Sequence, residues 1–206
     1  MSADNGKRVR RTLEASREAI LEVAERHLVE DGPAGVKVQK IGRELGISDA
    51  TIHYHFGNRE GLLEALLRHS GQRFSRELAQ ASEGEQPIDA RKVLELLNDL
   101  YGRRGGARLA AWLVQSGWTP AGSGMLLDLC QRLNAQQAVE AEANGAPPPT
   151  LEDTQKLVAL LSALAFTQAI MGDALPRSVG LDGLEASALD SWALRQTQQL
   201  PPRTET

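Results

Sequence analysis

Between Lys37 and Arg59 the chain sets four cations, Lys37, Lys40, Arg43 and Arg59, around Gln39, Ser48, Asp49, Ala50, Thr51, His53, Tyr54 and His55. Cations neutralise phosphates, while hydroxyls, amides and imidazoles bond phosphate oxygens or base edges, so this inventory suits nucleic acid. It does not suit group transfer or hydrolysis. No nucleophile stands beside a base, no glycine-rich phosphate loop is present, and no metal-ligand cluster occurs. His53 and His55 are two apart, which on a helix points them in different directions, and no cysteine or carboxylate completes a metal site. No catalytic residue, cofactor or metal is expected.

The elements that must position these groups are short helices. Val38, Ile41 and Leu45 share a face, predicting a helix over about 38–45, and Gly46-Ile47-Ser48 supplies a turn whose glycine permits the required backbone. Ser48 then caps a third helix through its oxygen, near the amide of Ala50 or Thr51, and Asp49 sits at the positive end of the helix dipole. At about 100 degrees per residue, Ile52 and Phe56 face a core together while Ala50, Thr51 and Tyr54 face away, with His53 and His55 on the flanks. Two short helices joined by such a turn read as a helix-turn-helix, motif about 37–56, whose second helix enters the major groove of double-stranded DNA. Ala50 is small enough for close approach to a thymine methyl, and Thr51 can donate or accept. Asn58 caps a fourth helix, whose free amides beside Arg59 predict a phosphate site.

Composition agrees with a folded, water-exposed protein. Of 206 residues, 41% are hydrophobic and 24% charged, ordinary globular values. The net charge of −4 is unevenly placed: in residues 1–70 eleven Lys+Arg match eleven Asp+Glu, leaving twelve against sixteen beyond. A local basic patch can therefore meet DNA although the whole chain is acidic. Cys130 is the single cysteine, so no internal disulfide exists. Lying between Leu129 and Leu133, it reads as a small buried hydrophobe. The first residues lack the apolar centre of a signal peptide, and the most apolar run, Leu157 to Phe166, is about half the ~20 residues of a membrane span. A cytoplasmic address without a membrane partner is expected.

Along the chain, Met1 to Arg11 is a polar basic arm carrying Lys7, Arg8, Arg10 and Arg11, without apolar periodicity, and is expected to be flexible. From Thr12 a helix follows with Ile20, Val23, Ala24, His27 and Leu28 on one stripe, stopped by Gly32-Pro33. On that stripe His27 is a core or boundary histidine. The fourth helix is expected to reach about Ala81. Helices then follow around Val93–Tyr101, Leu109–Trp118 and Met125–Ala143. After Pro147-Pro148-Pro149, Thr150 opens an eighth helix, apolar nearly all round and expected to reach Leu175. A ninth begins near Asp182 and Glu185. No strand alternation or repeat occurs, so the class is all-α with about nine helices.

Residues 13–66 resemble the DNA-binding domain of the TetR family of transcriptional regulators. Ile41, Gly46, Ser48, Thr51, Ile52, His55, Phe56, Arg59, Leu62 and Leu63 carry the likeness. Three positions depart from the family pattern: Lys37 for a hydroxyl residue, His53 for tyrosine and Arg59 for lysine. Each can still contact phosphate, though Arg and Lys differ in geometry.

The resemblance implies a DNA head at 12–66 joined by a long fourth helix to a larger effector-binding and dimerisation domain at 67–206. It implies a homodimeric repressor reading a palindromic operator and released by a small-molecule effector. Helices eight and nine would form the dimer interface, for which Leu157, Leu161, Leu164 and Trp192 are candidates. A pocket among helices four to eight would hold an apolar or weakly polar effector, with Tyr101, Trp112, Trp118, Met125, Cys130 and Phe166 as candidate lining. The competing reading is a helical enzyme or small-molecule carrier whose helix-turn-helix is ancillary.

Overall fold

The computed structural model of the chain describes residues 3–82, 89–119 and 126–198. Among them there is no strand, and ten α-helices account for the architecture: α1 (Ala3–Asp31), α2 (Val38–Leu45), α3 (Asp49–Phe56), α4 (Arg59–Ser82), α5 (Ala90–Asn98), α6 (Gly106–Gln115), α7 (Leu127–Ala143), α8 (Leu151–Met171), α9 (Ala174–Ser178) and α10 (Ala186–Gln198). The expected boundaries of α2 and the outward and inward faces of α3 are as read from the periodicity.

Two expectations about helices are corrected. The basic arm expected over 1–11 is helical from Ala3, continuous with α1. Its Lys, Arg and Ala are good helix formers that need no apolar stripe, and residues 3–31 contain no proline to interrupt them. The eighth helix stops at Met171 instead of Leu175, because Gly172 takes φ 51 and turns the chain. The following residues form the separate short α9, and the ten α-helices among the described residues agree with the expected all-α class of about nine.

The chain divides into two compact units, Met1–Gln72 with Arg103–Pro120, and Arg73–Gly102 with Ala121–Thr206. This corrects the expected boundary at 66/67, since α6 belongs with the helix-turn-helix. Leu109 and Leu113 of α6 are buried with Ile20, Leu28, Ile41, Ile52, Leu62 and Leu66 in one core, and Trp112 and Trp118 pack against it. Hydrophobic burial overrides sequence distance here.

The second unit is built around α8, which packs on α5 and α7. Its core joins Phe74, Val93, Leu97, Leu129, Leu133, Val158, Leu161 and Ala165, with Leu194 of α10. Thr150 caps α8 as expected, its oxygen accepting from the Asp153 amide at 3.1 Å. Half-buried polar groups pair between its helices: Asn134 donates to the Thr154 hydroxyl at 3.0 Å, and the Asp190 carboxylate accepts from Asn98 at 2.8 Å and Gln168 at 2.9 Å. This carboxylate ties α10 to α5 and α8. Among the described residues α8 is long and apolar enough by length and composition to cross a membrane, but Val158, Leu161 and Ala165 lie in this core.

Candidate nucleic-acid interface

The turn between α2 and α3 forms for local reasons. Gly46 adopts a left-handed φ of 66 and closes α2 by donating to the Gly42 carbonyl. Ser48 accepts from the Thr51 amide at 3.2 Å, the cap expected from sequence, and its hydroxyl also bonds the Thr51 hydroxyl at 2.9 Å. Thr51 is thus held by its own helix end. Ile52 and Phe56 are buried, anchoring α3, while Tyr54 on the opposite side is 74% exposed and Ala50 and Asp49 are exposed beside it.

The next junction is equally constrained. Asn58 caps α4, its side-chain oxygen accepting from the Gly61 amide at 2.7 Å. A Cβ on Gly61 would lie 2.1 Å from the Phe56 carbonyl oxygen, so only glycine fits where α4 leaves α3. No reading of the sequence singled out Gly61, because its need arises from a close approach and not from a pattern.

The histidines divide their roles. His53 bonds the Gly57 carbonyl through Nδ1 at 2.9 Å, which requires the proton on Nδ1 and leaves Nε2 free to accept or be protonated. His55 is half-buried; its ring lies edge-on to Tyr54 at 5.5 Å and its carbonyl accepts from Arg17 at 3.0 Å. Arg17 also lies over the Phe56 ring, 4.5 Å from its centroid. Arg17 therefore locks α1 against the end of α3, a role the sequence reading missed, since nothing in the chain order pairs position 17 with 55 or 56.

The cations also differ in what they do. Lys37, just before the first helix of the motif, and Gln39 on it are exposed. Lys40 is exposed but paired with Asp31 at 2.9 Å; its hydrogen bond and charge hold the Asp31 carboxyl below its ordinary value. Arg59, expected on the phosphate rim, turns inward. Its Nε donates to the Val36 carbonyl at 2.8 Å, Nη2 donates to the Pro33 carbonyl, and the guanidinium covers Trp112, 4.9 Å from the ring centroid. The planar fork of arginine matches two carbonyls and an indole at once, a structural use of the group that its place in the sequence did not show.

His27 is buried, as its place on the stripe required. Its Nε2 meets Glu44 at 2.9 Å, and Arg26 reaches the other oxygen of the same carboxylate at 2.5 Å. Glu44 thereby joins α1 to the C-terminal end of α2.

The candidate effector residues do not gather in one place. Trp112 and Trp118 serve the core of the helix-turn-helix unit, correcting their assignment to an effector pocket. Tyr101 and Phe166 do meet, edge to face at 5.5 Å, in the second unit, where burial pushes the Tyr101 hydroxyl above its ordinary value and the Ser162 hydroxyl opposes that shift. Cys130 is buried in the same core, and burial pushes its thiol up as well. Met125 lies outside the described residues. Tyr101 stands in a π-helical turn, Asp99–Arg103, a geometry that widens one helical turn.

The candidate dimer residues are also redistributed. Leu161 is 0% exposed and Leu157 and Leu164 pack against the same internal core, so these three are occupied within the chain. The outward apolar residues of α8 are Leu160, 56% exposed, with Leu151, Ile170 and Met171. Trp192 on α10 is 54% exposed and keeps its candidacy.

Among the described residues no group of three or more His, Cys, Asp or Glu could hold a metal ion. Residues 20–66 match the family model described as bacterial regulatory proteins, tetR family. Over 100 residues the chain is 34% identical to the HTH-type transcriptional regulator TtgR of Pseudomonas putida, covering 45% of this chain and 47% of that protein. It is 28% identical over 99 residues to the regulator BetI of Brucella canis, covering 48% and 50%. An uncharacterized HTH-type transcriptional regulator of Mycobacterium tuberculosis is 29% identical over 105 residues, covering 50% and 52%. The chain spans about half the length of the curated relatives it matches.

Solved structures extend the likeness to the fold. A Saccharomonospora viridis protein solved in complex with choline aligns with TM-score 0.59 at 22% identity, over 91% of this chain and 97% of that one. The regulator FadR from Bacillus subtilis in complex with stearoyl-CoA aligns with TM-score 0.55 at 16% identity, over 87% and 96%. The chain shares its all-α fold with these solved structures, and residues 20–66 match the helix-turn-helix model of the tetR family.

Proposed function

We propose that this chain, whose helix-turn-helix is of the TetR type, is a transcriptional regulator that represses by occupying a palindromic operator as a homodimer and leaves it when a small effector binds. The observation that carries the reading is the division of α3: Ile52 and Phe56 bury one side, and Ala50 and Tyr54 stand free on the other. A short helix held this rigidly, with its outer face unoccupied, is what a major groove admits. Ser48, Asp49, Ala50, Thr51 and Tyr54 would address bases and adjoining phosphates. Lys37, Gln39, Lys40, His53 and His55 would grip the backbone. The α4 end capped by Asn58 offers amides to a phosphate, while Arg59 shapes that end from within.

One such helix covers few base pairs, so specific reading calls for two, spaced about 34–36 Å or a multiple apart. Leu160, Ile170, Met171 and Trp192 supply the outward apolar surface that pairing needs. The effector would enter the second unit, where Tyr101, Phe166 and Cys130 provide apolar and aromatic lining of the kind small-molecule sites use. Relatives of this fold were solved with choline, stearoyl-CoA or imidazole bound, which supports a ligand-responsive second unit without naming this chain's effector. The reading is of a regulator and not an enzyme, placed in the cytoplasm with the DNA.

The test is selection of duplexes from a randomised pool by the purified protein, followed by mass determination of the complex. Enrichment of an inverted repeat bound by two chains supports the proposal. Enrichment of nothing above random at low salt would overturn the DNA assignment, and a complex with one chain would overturn the dimer.

A further inference from the structure

α3 carries a single carboxylate, that of its first residue, Asp49. Asp49 is exposed, and among the described residues no hydrogen bond or ion pair within the chain engages its side chain. Resting on the regulator reading above, we infer that Asp49 selects a base: its carboxylate accepts a hydrogen bond from the N4 amino group of a cytosine and so fixes a C·G pair at one position of each half-site.

Position, backing and rigidity carry this. The N-terminal residues of a helix lying in the major groove are those that reach base edges, and Asp49 stands there beside the exposed Ala50. A Cβ on Gly42 would lie 3.1 Å from Asp49 Oδ1 and 3.0 Å from the Ile47 carbonyl oxygen, so the carboxylate is backed against α2 at a point where glycine leaves it room. The helix that carries it is fixed at both ends. Ser48 accepts from the Thr51 amide and bonds the Thr51 hydroxyl at its start, while Ile52 and Phe56 are buried further along.

Charge then decides which partner is left. A carboxylate has nothing to accept from a phosphate, and the phosphates that border the groove repel it. Guanine shows N7 and O6 in the major groove and thymine shows O4, all acceptors, so neither donates to Asp49. Adenine donates from N6 but sets the N7 acceptor beside it, which turns a lone pair on the second carboxylate oxygen. Cytosine donates from N4 with no acceptor on its own groove edge. Asp49 therefore contributes discrimination more than affinity, since at any other base its charge stays unpaired between the strands.

The test selects duplexes from a randomised pool with the full chain, as wild type, Asp49→Asn and Asp49→Ala, and thermal melting checks that both variants are folded. The wild type is expected to enrich cytosine at one position of each half-site. Asp49→Asn is expected to move that position to adenine, whose N6 and N7 suit an amide, and Asp49→Ala to lose the preference there while the other positions keep theirs. A second readout leaves the protein unchanged. N4-methylcytosine at that position of the enriched duplex puts a methyl group where the carboxylate bonds, and is expected to weaken the wild type about tenfold, the order of one base-edge contact, and Asp49→Ala by less than about twofold. If Asp49→Ala does not fold, the base pattern of Asp49→Asn and the methyl effect on the wild type decide the question.

An unchanged base pattern in the folded variants would overturn the inference, leaving Asp49 to serve the end of α3 and the regulator reading intact. Indifference of the wild type to the N4-methyl group would overturn cytosine as the partner. Failure of the wild type to enrich any duplex would overturn the regulator reading, and this assignment with it.

Discussion

The guanidinium of Arg59 lies over the indole of Trp112 while donating to the carbonyls of Val36 and Pro33, so the first residue of α4 is tied to α6 and to the loop before α2. Fifty-three positions of sequence separate the two side chains. Arginine stacked on an indole contributes about 0.5–1 kcal/mol at partly exposed sites, and hydrogen bonds from a charged donor about 1.5–3 kcal/mol each. Arg59→Ala is therefore expected to lower unfolding stability by roughly 2–4 kcal/mol, and Arg59→Lys to recover less than half, because lysine cannot span both carbonyls and the ring. Chemical denaturation measures this. The salt dependence of DNA binding should stay within experimental error of wild type for folded Arg59→Ala; a slope reduced by about one unit would restore Arg59 to the phosphate contacts.

Tyr54 projects from α3 with most of its surface free, and no bond within the chain holds its hydroxyl among those described. Tyr54→Ala should reduce discrimination between an enriched duplex and random DNA by about tenfold, the order of 1–3 kcal/mol for one base-edge contact. Competition titration reads the ratio. Equal losses on both duplexes would make Tyr54 a backbone contact instead.

The outward and inward residues of α8 predict opposite phenotypes. Leu160→Glu, at an exposed position, should leave thermal stability of the separated chain nearly unchanged and shift the sedimenting species from two chains toward one. Leu161→Ala, one residue on but fully buried, should cost about 2–5 kcal/mol of unfolding stability through the cavity it leaves. Sedimentation combined with denaturant unfolding distinguishes them. A Leu160→Glu protein that stays dimeric would remove this face from the interface.

Lys40 shares its charge between Asp31 and any phosphate it meets. Since the folded Asp31 carboxyl is held below its ordinary value, the pair's contribution is complete above the unfolded carboxylate value of about 3.9 and is lost only as pH falls through the lower folded value. DNA affinity should thus show no Asp31-dependent step between pH 5.5 and 8, a range set for about neutral binding assays. Asp31→Asn should strengthen binding to random DNA about threefold at low salt, with the gain vanishing as salt screens the freed lysine. Filter binding over a salt series checks both.

Much of the helix-turn-helix is determined by the sequence alone, because its signals are local. The 3.6-residue stripe through Ile20, Val23, Ala24 and Leu28, the left-handed glycine at 46, the cap at Ser48 and the opposed faces of α3 each depend on residues within a few positions of one another. Their physics is complete in short peptide geometry, so the reading of the motif needed no partner from elsewhere. The all-helical class followed for the same reason.

What only the tertiary structure decided is where side chains of mixed character spend their contacts. Arg59 had a charge suited to phosphate, and the nearness of Trp112, Val36 and Pro33 drew it inward. Leu157, Leu161 and Leu164 had apolarity suited to a partner chain, and α5 and α7 buried Leu161 and packed on the other two first. Trp112 and Trp118 looked like pocket lining, and the fold brought α6 back to the helix-turn-helix unit. Arg17 carried no pattern at all until α1 and α3 were set side by side. In every case a long, amphipathic or aromatic side chain had several satisfactory partners in principle, and distance in space chose among them.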